Sequence, residues 1–496
     1  MKARIQLDRA KTIGAIDNRI YGSFIEHLGR AVYTGIYEPG HSQADADGYR
    51  KDVIEAIKGL KVPIVRYPGG NFVSGYNWED GTGPRDKRPK RLELAWGTIE
   101  TNEIGIDEFQ EWAKRADTDI MMAVNLGTRG PAEAGNLVEY CNLDTPTKFA
   151  EMRRANGFDK PFKIKTWCLG NEMDGPWQIC HKTAEEYARV ACEAAKIMKW
   201  TDPSIELVAC GSSSKFMPTF KTWEETVLRE CWDHVDYISL HNYYGNRENN
   251  TASYLASSLD MEDFIKEVAA ICDKIQTEKK SDKQVQLSFD EWNVWFHSNE
   301  ADKKIPRWSI APPQLEDIYN MEDALVVGTL LNTLIRNADR VKMACLAQLV
   351  NVIAPIMTVP GGGLWLQTIY WPFLHASIHG RGTSLAPQIE VGSYATGDKK
   401  VVPWLDSSAV LAEDGNSLTV FAVNRSLDES MELDIALSGF EGFRLIAHTE
   451  LSHSDLKATN SASDTDRVSP KEVNLPSGPS APQLAPASWN VLRFGK

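Results

Sequence analysis

The sequence of 496 residues lacks an excess of basic charge, since its formal net charge is −14. Nucleic acids and anionic membrane surfaces are bound by basic patches, so neither is an expected partner. The sequence also lacks a long uninterrupted apolar stretch. Its most apolar run, residues 344–359, is short and contains Gln348, Asn351 and Pro355, which argues against a membrane-spanning helix.

A signal peptide and paired cysteines are missing as well. The opening residues, MKARIQLDRAKTIG, have no apolar run after their charged start, so we expect a cytoplasmic protein. The eight cysteines are scattered between Cys141 and Cys345 without a Cys-x-x-Cys pair, and several lie inside apolar segments. This pattern predicts free, buried thiols rather than a disulfide framework or a zinc site.

Short apolar runs recur along the first three quarters of the chain, each ending in small or polar residues. Runs of this kind are typical of parallel strands that are buried on both faces, and segments such as DVIEAIKGL between them have helical periodicity. The pattern predicts a (β/α)8 TIM barrel. A doubly wound sheet is the structural alternative, but no glycine-rich phosphate loop follows the first strand. The eight runs span residues 19–26, 62–71, 119–127, 164–172, 205–213, 235–244, 285–293 and 341–351.

The last part of the sequence has a different pattern, with short alternating strands separated by turn residues, as in SLTVFAVNRS and SWNVLRF. This pattern predicts a C-terminal all-β sandwich, jelly-roll-like in type. The early segment KARIQLD has no place among the eight barrel strands, and we expect it to pair with the C-terminal sheet. The predicted fold class is therefore α/β, with a catalytic barrel over residues 19–378 and a sandwich formed by residues 1–18 together with 379–496.

Polar side chains gather where the predicted barrel strands end, which is the rim that holds the active sites of TIM barrels. Two of them, Glu172 and Glu291, are carboxylates on opposite strands. Glycoside hydrolysis needs such a pair, because one acid protonates the leaving oxygen while an ionised carboxylate lies below the anomeric carbon. The strand-end residues are Glu26, His27, Arg66, Asn71, Asn125, Asn171, Glu172, His241, Asn242, Tyr243, Asp290, Glu291, Asn293, Gln348 and Asn351.

Neighbouring residues compete for some of these positions. Side chains alternate along a strand, so only one of Asp290 and Glu291 is expected to point to the barrel centre, and the other is expected to form a salt bridge at the barrel wall. One of Tyr243 and Tyr244 is expected in the core. His241 is either a structural histidine or a supporting residue of the site.

Four segments closely resemble the α-L-arabinofuranosidases of glycoside hydrolase family 51, namely FIEHLGRAVYTGIYEPG, VRYPGGNFVSGYNWEDG, CLGNEMDGPWQ and LSFDEWNVWF. The resemblance covers essentially the whole chain, including the ending PASWNVLRF. It implies a retaining barrel enzyme in which Glu172 is the acid/base and Glu291, not Asp290, is the nucleophile. It further implies that the substrate is bound by Glu26, Asn71, Asn171, Tyr243, Gln348, Arg66 beneath the nucleophile and Trp96 on the leaving-group side.

The resemblance implies an exo-acting enzyme that releases terminal non-reducing arabinofuranosyl residues from arabino-oligosaccharides, arabinan or arabinoxylan fragments by double displacement. It implies no metal and no organic cofactor, and a homo-oligomer, commonly a hexamer. Two rivals remain: another glycosidase specificity on the same barrel, such as an endoglucanase or a β-xylosidase, and a sugar-binding protein on an inactive barrel. The second rival would require the loss of one glutamate, and both are present. The linkage preference stays open.

Overall fold

The computed structural model describes residues 1–397, 399–475 and 481–496. Strands in these ranges are short, and most of those in the first three quarters of the chain are separated by helices. In chain order they are β1 (Lys2–Asp8), β2 (Thr12–Ala15), β3 (Gly22–Phe24), β4 (Ile64–Tyr67), β5 (Arg91–Glu93), β6 (Thr98–Glu100), β7 (Asp119–Ala123), β8 (Thr166–Leu169), β9 (Glu206–Ala209), β10 (Tyr237–Tyr244), β11 (Gln286–Val294), β12 (Val341–Leu346), β13 (Ile356–Thr358), β14 (Leu364–Leu366), β15 (Thr383–Leu385), β16 (Gln388–Val391), β17 (Ser393–Thr396), β18 (Lys399–Pro403), β19 (Leu405–Leu411), β20 (Ser417–Asn424), β21 (Met431–Ser438), β22 (Arg444–Leu451), β23 (Lys471–Glu472), β24 (Gln483–Leu484) and β25 (Ser488–Gly495).

The helices of the described ranges lie mainly between the strands of the first three quarters of the chain. None of them combines the length and the apolar character that crossing a membrane requires. They are α1 (Lys51–Leu60), α2 (Ile106–Ala116), α3 (Pro131–Asn142), α4 (Lys148–Ala155), α5 (Ala184–Thr201), α6 (Thr222–Cys231), α7 (Thr251–Tyr254), α8 (Ser257–Lys279), α9 (Asn299–Asp302), α10 (Met321–Arg336) and α11 (Tyr370–His379), with 3-10 helices at Asn18–Tyr21, Asn71–Gly75, Trp78–Gly81 and Arg85–Lys87.

Eight parallel strands close into a barrel in the order β3, β4, β7, β8, β9, β10, β11, β12 and back to β3. Each coincides with one of the eight predicted apolar runs, so the predicted TIM barrel is confirmed. The strands lack polar alternation because both of their faces are buried: every residue of β4 and β8 is buried, for example. Charged and amide side chains are therefore concentrated toward the ends of the strands where the barrel opens.

Two further sheets form the C-terminal sandwich. One has seven strands in the order β2, β15, β19, β20, β25, β22, β23, and the other has four in the order β16, β1, β21, β24. Their facing sides share an apolar core that includes Ile5, Leu433 and Leu492. β1 pairs with β16 and β21, which confirms that the early segment joins the C-terminal sheet. The exact limits of the two domains remain a prediction.

The seven-stranded sheet turns its other face toward helix α10 of the barrel. A Cβ added to Gly328 of this helix would lie 2.6 Å from Cε3 of Trp489, so the small residue allows the close contact. Polar groups are buried in the same interface. Asp406 accepts hydrogen bonds from Arg425 Nη2 at 2.8 Å, Arg336 Nη1 at 3.1 Å and Asn332 Nδ2 at 2.8 Å. One carboxylate thus joins two arginines, one from each domain.

All eight cysteines are free, which confirms the prediction of unpaired thiols. Seven are buried, whereas Cys180 is exposed, so the expectation of burial is wrong for this residue. Cys180 lies in the loop between β8 and α5, and not in the apolar strand and helix patterns that bury the others.

We expect Asp406→Ala to destabilise the protein strongly, because it removes the carboxylate paired with the buried charge of Arg425 and leaves Arg336 only the more distant Glu262. Breaking a buried pair of this kind costs about 3–5 kcal/mol, which for a chain of this length corresponds to a fall in Tm of about 3–5 °C. Calorimetric melting measures the shift. Asp428→Ala, which removes an exposed aspartate, serves as the control. Equal Tm values for the two variants would contradict the assigned role.

Candidate active site

The C-terminal ends of the barrel strands open into a cavity of about 550 Å³. Both predicted carboxylates line it, Glu172 just after β8 and Glu291 within β11. The wall combines aromatic, aliphatic and polar side chains, which suits a ligand with hydroxyl groups and apolar faces. The other lining residues are Glu26, Leu28, Gly70, Asn71, Ala95, Trp96, Trp177, Ser213, Ser214, Phe216, Asn242, Tyr243, Trp295, Leu315, Gln348 and Ile353.

Glu172 is directed into the cavity by an unusual backbone path. Strand β8 ends at Leu169, and Gly170 then adopts a φ of 88°. Glu172 itself has a φ of 43°, in the left-handed region of backbone conformation. Residues other than glycine rarely adopt this region, and those that do are found disproportionately at functional sites. Its Oε2 accepts a hydrogen bond from Trp177 Nε1 at 2.8 Å, and its Oε1 lies 2.9 Å from His241 Nδ1.

Glu291 is held by donors from other strands. Arg66 Nη1 donates to its Oε1 at 2.6 Å, and the Tyr243 hydroxyl donates to its Oε2 at 2.9 Å. Burial, followed by the negative charge of Glu291, keeps the pKa of Tyr243 well above its usual range, so the phenol remains a neutral donor. Burial alone would lower the pKa of Arg66, but Asp290 and other nearby acidic groups raise it well above its ordinary value. Glu291 is thus hydrogen-bonded at both oxygens, and these two donors fix the direction of its carboxyl group.

A β-bulge in β11 brings the side chain of Asp290 close to the residues around Glu291. Ser239 pairs with Ser288 and His241 pairs with Glu291, so β11 advances three residues where β10 advances two. Asp290 forms the expected salt bridge, with His241 Nε2 at 2.8 Å from its Oδ1, but inside the barrel, where its Oδ2 accepts from Cys168 Sγ of β8 at 3.8 Å. The prediction that only one of the two neighbouring acids points to the centre is wrong, because the extra residue breaks the alternation of side chains.

His241 lies between three carboxyl groups. Its Nδ1 is 2.9 Å from Glu172 Oε1 and 3.6 Å from Glu291 Oε2, and its Nε2 contacts Asp290. Burial alone would lower the pKa of this histidine, but the charge of Glu291 and the hydrogen bonds with Asp290 and Glu172 outweigh burial and raise the pKa to about 10. The imidazole is therefore protonated at neutral pH and donates from both nitrogens.

The same three side chains are the group best placed to hold a metal ion among the described residues. Glu172, His241 and Glu291 each offer one atom, and these atoms lie within 4.8 Å of one another. A histidine binds a metal through a neutral ring nitrogen. Because His241 uses both nitrogens as donors to carboxylates, the group fits a proton-bearing network better than a metal centre.

Glu26 closes the cavity on the side of β3. Its Oε1 accepts hydrogen bonds from the Phe72 amide at 2.8 Å and from Trp96 Nε1 at 2.9 Å. Burial raises the pKa of Glu26 to about 8 in spite of these donors, so its carboxyl keeps a proton near neutral pH. The fit is close: a Cβ added to Gly70 would lie 2.6 Å from Glu26 Oε2. Gln348 completes this corner, since its Oε1 accepts from the Glu26 amide at 3.0 Å.

Asn171 and Arg66 lie behind the cavity lining. Arg66 Nη2 donates to Asn171 Oδ1 at 2.8 Å, while the other terminal nitrogen of Arg66 reaches Glu291. Asn171 Nδ2 in turn donates to Asn71 Oδ1 at 3.3 Å. A continuous hydrogen-bonded path therefore runs from Glu291 through the arginine and the two amides to the cavity wall.

Comparisons with known proteins agree with this geometry. Two family models match the chain, the α-L-arabinofuranosidase 1 domain over residues 56–259 and the α-L-arabinofuranosidase C-terminal domain over residues 290–485. An intracellular exo-α-(1→5)-L-arabinofuranosidase 1 of Bacillus subtilis is 58% identical over 100% of this chain and 99% of its own length. An exo-α-(1→6)-L-arabinofuranosidase of Bifidobacterium longum is 49% identical over 99% of this chain and 97% of its own length.

A solved structure of a family 51 α-L-arabinofuranosidase from Bifidobacterium longum superposes with a TM-score of 0.95, at 44% identity and with 99% of each chain covered. The chain belongs to the family 51 α-L-arabinofuranosidases. It is therefore a glycoside hydrolase with exo-α-L-arabinofuranosidase activity on arabinose-containing substrates. The resemblance seen in the four sequence segments is confirmed.

Seven of the nine residues that the family resemblance selects line the cavity, and two, Arg66 and Asn171, lie directly behind it. Tyr243 faces the cavity, whereas Tyr244 is buried in the core. The individual roles of the nine remain predictions. The seven lining residues are Glu26, Asn71, Trp96, Glu172, Tyr243, Glu291 and Gln348.

Sequence reasoning missed three aromatic residues of this family 51 site. Trp177 and Trp295 are inside the segments that identified the family, but nothing in their spacing separates them from core tryptophans. Phe216 lies in the loop after β9 and is 73% exposed, and no motif marks it. Large aromatic side chains that are exposed beside a cavity offer stacking surfaces for sugar rings.

We expect the stabilising effect of His241 to depend on pH. Its pKa is raised from 6.5 to about 10 on folding, so its contribution is fully present below pH 6.5 and is lost as the pH rises through about 10. The Tm difference between the wild type and His241→Gln should therefore be largest near pH 6 and should shrink by pH 10.5. Melting curves across this range measure it, with His181→Gln, at an exposed histidine, as the control. A difference that stays constant with pH would contradict the assignment.

Proposed function

We propose that this enzyme cleaves by a retaining double displacement, with Glu291 as nucleophile and Glu172 as acid/base. The observation that supports it best is the approach of the two carboxyl groups, whose nearest ligand atoms lie within 4.8 Å. Retaining glycosidases place their carboxyl groups about 5–5.5 Å apart, whereas inverting ones need about 6.5–9.5 Å to admit a water molecule. An approach within 4.8 Å between single oxygen atoms of the two groups favours the retaining arrangement.

In the first step, Glu291 attacks the anomeric carbon and forms a covalent arabinosyl ester, while the proton of Glu172 passes to the leaving oxygen. The hydrogen bonds from Arg66 and Tyr243 fix the direction of the attacking carboxylate of Glu291. In the second step, Glu172 removes a proton from water, which attacks the same carbon and breaks the ester. Trp177 and His241 both donate to Glu172, which suits the ionised form that begins this step.

The buried charges balance at both stages. Before the first step the cations Arg66 and His241 face ionised Asp290 and Glu291, and the acid form of Glu172 brings the cluster to neutrality. After it, the ester removes the charge of Glu291 while Glu172 becomes ionised. Because an uncompensated charge in a buried site is costly, a cycle that moves one negative charge between two glutamates avoids that cost.

We propose terminal α-1,5-linked arabinofuranosyl residues of arabino-oligosaccharides, derived from arabinan or arabinoxylan, as the units released. Exo action is supported by the specificities named for the relatives, and Glu26, Asn71 and Gln348 line the cavity where its wall is closed by the Glu26–Gln348 contact. The α-1,5 linkage is supported by the specificity named for the Bacillus subtilis relative. A cytoplasmic location stays a prediction from the opening residues of the sequence, and a homo-oligomeric, hexameric assembly stays a prediction from the family resemblance.

The direct test is hydrolysis by the wild-type enzyme. We expect turnover of α-1,5-linked arabinobiose and of 4-nitrophenyl α-L-arabinofuranoside, and little or none of the corresponding β-D-xyloside or of a β-glucan. Proton NMR of the earliest product should show the α anomer, because two inversions restore the configuration. The β anomer as first product would reject double displacement. Preference for the xyloside would favour the rival glycosidase, and preference for 1,2- or 1,3-linked disaccharides would reject the linkage.

Substitution of the two glutamates separates their roles. We expect Glu291→Ala to lower kcat by at least about 10⁴-fold on every substrate, because the covalent step is lost. Glu172→Gln should lower kcat/KM by about 10²–10⁴-fold on arabinobiose but much less on aryl arabinofuranosides with good leaving groups. Glu185→Gln, at an exposed position, is the matched control. An equal loss across leaving groups would reject Glu172 as the acid.

A further inference from the structure

A second depression lies beside the catalytic cavity, on the other side of the hairpin formed by β5 and β6. Its volume is about 170 Å³, against about 550 Å³ for the catalytic cavity, so it suits one sugar unit rather than several. Leu92 and Leu94 of the hairpin form one wall and are 59% and 61% exposed. Polar groups also line the depression. Among them are Arg91 and Asp80, which are hydrogen-bonded to each other from Arg91 Nε to Asp80 Oδ2 at 2.9 Å.

The two depressions share their borders. Three chain segments contribute to the walls of both depressions: in each segment, one residue lines the catalytic cavity and another lines the second depression. Trp177 belongs to one of these segments; it is 51% exposed and donates to Glu172, the proposed acid. Since the leaving group departs on the side of the acid, its chain emerges toward this common border. The residue pairs, with the catalytic cavity first, are Asn71 and Phe72, Ala95 and Leu94, and Trp177 and Ile179.

The wall of the second depression contains an acceptor without a donor. Asn102 is fully buried and lines the depression. Its Nδ2 donates to the Pro89 carbonyl at 2.7 Å and its amide donates to Glu100 Oε1 at 2.6 Å. Its Oδ1 has no partner among the described residues. A buried acceptor that stays unpaired is costly, so a ligand hydroxyl that reaches this atom through a small shift of the wall gains a hydrogen bond.

We propose that this depression is a remote subsite that binds one arabinofuranosyl unit of the leaving chain, beyond the sugar next to the cleaved bond. A furanosyl unit offers hydroxyl groups to Asn102 and to the Arg91–Asp80 pair, and a face of C–H groups to Leu94. Binding energy gained there favours longer oligosaccharides over disaccharides, because only a longer chain spans the border at Trp177. The inference rests on the proposed function, since it assumes that the substrate is an arabino-oligosaccharide.

The test compares substrates of different length on two variants, Leu94→Ser and Arg91→Ala. The substrates are 4-nitrophenyl α-L-arabinofuranoside, α-1,5-linked arabinobiose and α-1,5-linked arabinotetraose. We expect kcat/KM of both variants to fall by about tenfold on the tetraose, the scale of one apolar or hydrogen-bonding contact, and to stay unchanged on the two short substrates. Leu427→Ser, which makes the same change at an exposed leucine of the sandwich, is the matched control.

The outcomes are distinct. An unchanged kcat/KM on the tetraose in both variants, or an equal loss on all three substrates, overturns the remote subsite. If the wild type fails to cleave the aryl arabinofuranoside and the disaccharide, the proposed function fails, and this is seen before any variant is compared. A crystal structure of Glu172→Gln with arabinotetraose gives a second reading: density for a sugar unit between Leu94 and Asn102 supports the subsite, and a chain that leaves over Phe216 overturns it.

Discussion

Two buried cations, Arg66 and His241, hold the active site together. They lie among Glu172, Asp290 and Glu291 and satisfy carboxylates that would otherwise repel one another inside the protein. The cations come from β4 and β10, and the acids come from β11 and from the segment just after β8. No local segment brings these groups together, so the site exists only when the barrel is closed.

This dependence explains why so much of the strand-end chemistry could be predicted. Strands buried on both faces have only their ends available for polar groups, so the apolar runs in the sequence located the barrel and its polar rim together. The glutamates at positions 172 and 291 follow from the same rule, since each marks the point where an apolar run stops. The sandwich was predictable because alternation of polar and apolar residues returns there.

Other features could not be predicted from the pattern of residues. The alternation rule failed at Asp290, because a β-bulge is a feature of pairing between strands and leaves no mark in one sequence. The exposed aromatics Trp177 and Phe216 lie in long loops, where periodicity gives no information about direction. The hairpin of β5 and β6, which forms a wall of the cavity through Trp96, is also an insertion between barrel strands, and only the tertiary structure shows what it faces.

The pairing of β1 has a consequence for the order of events during synthesis. Lys2 of β1 pairs in parallel with Glu432 of β21, so this partner of the early strand is made 430 residues later, and its other partner, β16, also follows the barrel strands in the chain. At ~5–20 residues per second, about 20–90 s separate the two on the ribosome. All eight barrel strands leave the ribosome within that interval. The sandwich core therefore assembles last, after all eight barrel strands have been made, and the early strand waits unpaired until β16 and β21 follow.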